Sequence, residues 1–157
     1  MISYRIAPKV HNDRHNALSG VGGLYAEGRW HYLGAPIVYS ASSRSLGMLE
    51  RLVNDSTDIL TKELSVVTIL IPDHLKIVRL VEGDLPDNWD DHPYVSGTQK
   101  CGSDWLHSLD SAILQVPSSL CSDEYNFLIN PQHPDANKIE CVMCDPYTYP
   151  RRLANKL

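Results

Sequence analysis

Arg29, Tyr39, Glu50 and Ser118 are side chains of the kinds that together can open an N-glycosidic bond. A guanidinium grips a pyrophosphate through paired hydrogen bonds, and an aromatic ring covers a flat base. A carboxylate stabilises positive charge on a ribose carbon, while a hydroxyl holds the ribose or steers the carboxylate. The transition state of such a cleavage resembles an oxocarbenium ion, so a fixed negative group beside it lowers the barrier. A cationic base such as nicotinamide leaves as a neutral molecule and needs little acid catalysis. Each residue also has an ordinary reading: Arg29 as a surface ion-pair partner, Tyr39 as a core aromatic, Ser118 as a turn residue after Pro117, and Glu50 as a solvated helix glutamate. Types and spacing alone leave an enzyme and a plain binding module both standing.

Three of the four lie in one stretch, Gly22 to Glu50, GGLYAEGRWHYLGAPIVYSASSRSLGMLE. Its five glycines free the backbone and make it poor core material. It matches neither the G-x-G-x-x-G turn of a dinucleotide fold nor a GxxxxGK[ST] phosphate loop. Pro36–Ser40 is β-branched and reads as a strand, with Ile37 and Tyr39 on one face and Val38 and Ser40 on the other. Ala41-Ser42-Ser43 supplies an N-cap, and a helix is expected from about Arg44 to Asn54. Leu46, Leu49 and Val53 form its buried stripe, with Glu50 at the edge of that stripe. From helix position alone, solvent is the favoured place for Glu50.

The remaining elements must hold this stretch. Ile2–Ile6 alternates as a short strand that puts Tyr4 and Arg5 on opposite faces. His11–Asn16 reads as a loop and Leu18–Gly34 as irregular. Glu63–Pro72 is the strongest core strand, and Lys76–Val81 a further one. An aspartate-rich loop precedes a helix over Thr98–Leu109 that carries Trp105, Leu106 and Leu109. Strands are expected at Ala112–Val116, Tyr125–Ile129 and Ile139–Cys144. With no repeated βαβ alternation, the order implies an α+β domain with a mixed β-core and flanking short helices.

At 157 residues the chain fits one domain spanning 1–157 that buries roughly two thirds of its unfolded surface. Lys and Arg number 14 against 19 Asp and Glu, a net charge of −5. With no basic block, nucleic acid is not expected as a direct ligand. The N-terminus lacks the apolar run of a signal peptide, and no stretch is long and apolar enough for a membrane span, so a cytoplasmic chain with reduced cysteines is expected. Cys141-x-x-Cys144 is half of a zinc pattern with no second half, and no metal is expected.

The pattern from YR near the start, through GRW-H-x-x-G-x-P-x-x-Y and a glutamate eleven residues later, to VPSS and EYNFLINPQHP, resembles the RES domain, the toxin half of RES–Xre toxin–antitoxin pairs. The likeness runs from Tyr4 to Leu153. It implies a fold similar to diphtheria-toxin-type ADP-ribosyltransferases and a toxin that depletes cellular NAD at the nicotinamide ribose, with NAD as substrate and no cofactor. Carried over by position, Arg5 and Arg29 meet the phosphates or ribose, Tyr39 the nicotinamide side, Glu50 the reacting ribose, and Ser118 orients it. Asn126 joins the NAD-binding set, and Asn130 matches the same segment. The family often has asparagine where this chain has His31, so His31 is not carried over. The partners implied are an Xre-type antitoxin and a homodimer within the toxin–antitoxin complex. The acceptor is left open among water, phosphate and, in a transferase, a protein.

Overall fold

In the computed structural model, which describes residues 1–54 and 62–154, one sheet organises the chain. Its strands are β1 (Ile2–Pro8), β2 (Val38–Ala41), β3 (Leu64–Leu70), β4 (Ile77–Arg79), β5 (Ile113–Pro117), β6 (Tyr125–Ile129) and β7 (Glu140–Tyr147). They lie in the order β4-β5-β6-β2-β1-β3-β7. Only β4 and β5 run parallel; the other neighbours are antiparallel. Helix α1 (Arg44–Asn54) follows β2, helix α2 (Ser96–Ser108) precedes β5, and the short α3 (Arg151–Ala154) ends the described chain. The α+β architecture and the mixed sheet are those expected from the order of elements.

Side-chain alternation builds a core on each face. Val38, Val67, Ile69, Ile113, Phe127 and Ile129 point to one face. On the other face the apolar residues fall into two separate clusters. One gathers Trp30, Ile37, Trp105, Leu114, Val116 and Leu128, with Tyr39 packed against it. The other gathers Ile6, Leu64, Val66 and Tyr149, joined by Met48 and Leu52 of α1.

The gap between those two clusters has a cause in the pairing. β1 matches β3 along seven residue pairs but meets β2 only at Tyr4↔Ala41. The sheet is thus two well-paired halves hinged at one point. Strands that stop pairing there leave backbone groups and room on the helix-covered face.

Several boundaries depart from expectation for identifiable reasons. Leu109 caps α2 at φ 51° and is exposed, because a residue that ends a helix in the left-handed region turns away from the face it would have continued. β7 runs on to Tyr147 through Pro146; it is an edge strand, where a missing N–H is tolerated. In α1 the roll differs from the apolar stripe: Leu46 is 1% exposed, but Leu49 is 36% and Val53 58% exposed. The helix lays Leu46 and Gly47 towards the sheet, where Gly47 lies close to Ala41 and Ile6, and this turns Glu50 inward.

Candidate active site

A cleft of about 520 Å³ opens where the two halves of the sheet part. Its walls come from the middle of β1, the loop before β2, β2 itself, α1, the loop before α2, the end of β5 and the start of β6. Arg5, Arg29, Tyr39, Glu50 and Asn126 all line it, and Ser118 joins them through a hydrogen bond to Glu50.

Glu50 is the best-held of these groups. Ser43 begins the helix as its N-cap, its Oγ accepting from Leu46 N at 3.1 Å. Two turns on, Glu50 meets the ends of β5 and β6. Ser118 donates its hydroxyl to Glu50 Oε1 at 3.0 Å, and Asn126 Nδ2 donates to the same oxygen at 2.6 Å. Ser118 is itself fixed, its Oγ accepting from Leu120 N and Cys121 N at 3.1 and 3.3 Å. Both donors land on one oxygen. Oε2 takes no hydrogen bond from any described residue and is available to a ligand. Expected as solvated from its place in the helix, Glu50 is instead half-buried in the cleft.

Opposite it lies positive charge. Arg5 and Tyr4 were expected on opposite faces of their strand, yet both line the cleft. Arg5 enters at the point where β1 and β2 separate, donating from Nη1 to Tyr39 O at 3.3 Å. Its Nε is buried without a hydrogen-bond partner. Burial, and then the neighbouring charge of Arg51, push the Arg5 guanidinium down to about 10. Two guanidinium groups held near each other in this way suit a ligand with two or more negative oxygens. Arg51 also lines the cleft; it was not singled out in the sequence, where it matches no motif.

Arg29 and Trp30 form the tip of a tight hairpin closed by bonds between Gly28 and His31. Neighbours at a hairpin tip point apart: Trp30 is buried against Trp89, while Arg29 turns to the cleft edge. Arg29 Nη1 donates to Trp89 O at 2.6 Å and Asp91 O at 2.9 Å, and the guanidinium lies 5.2 Å from the centre of the Tyr94 ring. That nitrogen therefore latches the loop before α2 and is not open to a phosphate. Tyr94 completes the strap by donating to Asn54 Oδ1 at 3.1 Å.

Tyr39 and His31 are joined at the back of the cleft. The Tyr39 hydroxyl lies 2.8 Å from His31 Nδ1 and accepts from Trp30 N at 3.3 Å. Gly28 is needed here, since a Cβ on it would come within 2.7 Å of the Tyr39 oxygen. Burial pushes the Tyr39 phenol well above its ordinary range and the His31 imidazole below its own. His31 was not carried over as a site residue, but it is 3% exposed and lines the cleft. The Gly28–His31 hairpin that places it falls in a stretch the sequence shows only as irregular, so nothing local pointed to it. Asn130, by contrast, is fully buried away from the cleft, its Nδ2 donating to Leu106 O at 3.0 Å.

The four cysteines are free thiols, with Cys141 and Cys144 on β7. No described helix is long and apolar enough to cross a membrane.

Residues 2–152 match the family described as the RES domain. A protein of Sphingobium sp. (strain YBL2) named Prs ADP-ribosylating toxin is 37% identical over 155 residues, covering 98% of this chain and 96% of that protein. A Toxin Res of Photorhabdus laumondii subsp. laumondii is 36% identical over 138 residues, covering 88% and 86%. Among solved structures, a chain of the M. tuberculosis MbcT-MbcA toxin-antitoxin complex aligns with a TM-score of 0.76 at 20% identity, over 99% of this chain and 87% of that one. At that identity the likeness concerns the fold alone, an α+β domain built on one mixed seven-stranded sheet.

Proposed function

The chain belongs to the RES domain family, and from that premise we propose that it is the toxin of a toxin–antitoxin pair and arrests growth by cleaving the nicotinamide–ribose bond of NAD. One arrangement carries this reading: a carboxylate anchored by a single oxygen in a cleft that Arg5 and Arg51 also line.

In the reaction the bond between ribose C1′ and the nicotinamide nitrogen breaks, and its electron pair leaves with the base. Positive charge then develops on the ribose carbon and ring oxygen. Glu50 meets that charge through Oε2, and because Ser118 and Asn126 already fix the carboxylate, little reorganisation is needed when the charge appears. Arg5 and Arg51 take the pyrophosphate, which holds the ribose at Glu50. Tyr39 closes the floor beneath the base. Water attacking C1′ gives ADP-ribose, nicotinamide and a proton; phosphate gives the ADP-ribose 1″-phosphate and nicotinamide.

A second reading, transfer of ADP-ribose to a protein, is favoured by the name of the Sphingobium relative. It shares the same bond cleavage and differs only in the acceptor. The antitoxin partner is supported by the toxin–antitoxin complex of the structural neighbour. Its Xre type, a toxin homodimer within the complex and a cytoplasmic location belong to the proposal through the family resemblance.

A time course of NAD and free nicotinamide with purified protein, with and without phosphate and with Glu50→Ala beside it, tests the proposal. Nicotinamide release by wild type and not by the variant is expected, and a phosphate requirement would name the acceptor. Label from NAD appearing on a protein would select the transferase. Intact NAD in every tube, with folded protein, would leave a binding module.

A further inference from the structure

We propose that His31 is a positioning residue whose neutral form aims the Tyr39 hydroxyl so that its oxygen accepts from the ligand, and that protonation of His31 reverses the hydroxyl and shuts the site. The inference rests on the NAD-cleaving reading and adds to it a residue and a pH dependence.

The direction of the hydrogen bonds follows from their ends. His31 Nε2 lies 3.0 Å from Ala26 O. A carbonyl can only accept, so Nε2 carries the proton. In a neutral ring Nδ1 then holds a lone pair, and the Tyr39 hydroxyl 2.8 Å away must donate to it. Trp30 N–H donates to the same phenol oxygen at 3.3 Å. With its proton and one acceptor position used, Tyr39 has one acceptor position left, and it lines the cleft. The ligand group suited to it is an N–H or O–H donor, the class to which ribose hydroxyls and the amide of a carboxamide belong.

A proton on Nδ1 reverses the bond to Tyr39 while the bonds to Ala26 and Trp30 stay. His31 would then donate at both nitrogens, and the Tyr39 proton would have to swing into the cleft, where it opposes a ligand donor. The phenol cannot escape by ionising, since burial raises its pKa. The groups around His31 are few. Glu27 is the nearby charge, and with the Ala26 and Gly23 carbonyls it pulls the imidazole upward against the larger effect of burial. α2 packs on this hairpin through the uncharged Gln99, Gly102 and Ser103. The Tyr39 phenol in turn feels Tyr94 of the strap, Arg29 of the hairpin and Glu50 of α1, and Arg5 of β1 donates to the Tyr39 carbonyl.

The test measures kcat/KM for NAD cleavage from about pH 5 to about pH 8 for wild type, His31→Asn and His31→Phe, with thermal unfolding of each as the folding control. Wild type should lose activity as pH falls through a value below 6.5. Asn keeps an acceptor near the place of Nδ1 and has no proton to gain, so this acid limb should flatten in His31→Asn. His31→Phe should be about 10- to 100-fold slower at every pH. An unchanged limb in His31→Asn, or wild-type rates from folded His31→Phe, would overturn the inference. The histidine 15N spectrum of the wild type, beside Tyr39→Phe, reads the geometry without any turnover: the Nε2–H tautomer is expected, and an Nδ1–H tautomer removes the inference while leaving NAD cleavage standing. Wild type that leaves NAD intact at every pH removes the NAD reading, and this inference with it.

Discussion

At the scale of single residues, Glu50 and Arg5 make opposite demands on the fold. Glu50 is satisfied before any ligand arrives: Ser118 and Asn126 both donate to Oε1. Glutamine can accept the same two bonds through its carbonyl oxygen, so Glu50→Gln should keep its unfolding midpoint while losing about 100- to 1,000-fold in kcat. Glu50→Ala should be as inactive and also less stable, by about 1 kcal/mol or more, because the buried Ser118 hydroxyl loses its acceptor. Equal midpoints for the two variants would argue against the anchoring. Arg5 is only partly satisfied: Nη1 donates to Tyr39 O, but its Nε lacks a partner and its pKa is held at about 10 by burial and Arg51. A charge that folding disfavours contributes nothing to stability in the empty protein and is restored by an anion. Arg5→Met should therefore melt no lower than wild type yet bind NAD more weakly, as titration calorimetry on an inactive Glu50→Gln background would read. A large loss of stability with unchanged affinity would make Arg5 a structural residue.

At the scale of elements, two glycines separate helix propensity from packing. In α1 a Cβ on Gly47 would lie 3.6 Å from Ala41 Cβ and from Ile6 Cδ1, ordinary contact distances. Gly47→Ala should thus gain about 0.5–1 kcal/mol in denaturant unfolding from helix propensity alone. In α2 a Cβ on Gly102 would come within 1.9 Å of Trp30 O, and the helix would have to move off the hairpin that carries Arg29 and His31. Gly102→Ala should cost about 1–3 kcal/mol or more and lower activity with it; the same denaturation series decides both. These elements show what the sequence could tell. Strand and helix positions were readable because β-branched runs, the Ser43 cap and the turn residues are local signals. The roll of α1 was not, since an apolar stripe of Leu46, Leu49 and Val53 ranks side chains by polarity. The observed face is chosen by the space at Gly47 and by donors on distant strands.

At the scale of the whole molecule, the site depends on separations no local pattern contains. Ser118 and Asn126 are 68 and 76 residues from Glu50 and reach it only because β5, β6 and β2 are neighbours. Family resemblance supplied Ser118, Glu50 and Asn126 as positions; that both donors share one oxygen, that Arg29 latches a loop and that His31 orients Tyr39 needed the fold. The same topology makes a further demand. The two halves of the sheet meet at Tyr4↔Ala41, and the cleft lies over that junction. A ligand touching Arg5 of β1 on one side and Tyr39, Asn126 and the Glu50 that Asn126 holds on the other ties the halves together, and anything that binds only the folded state stabilises it by mass action. Glu50→Gln with NAD at 100 times its dissociation constant should gain about 2.7 kcal/mol. Slowed amide exchange should be concentrated in β1, β2 and α1 at their junction, beyond the uniform protection that global stabilisation gives. Ligand-induced protection confined to the loop before α2 would mean that NAD is held by the strap alone and that Glu50 and Arg5 do not share one bound molecule.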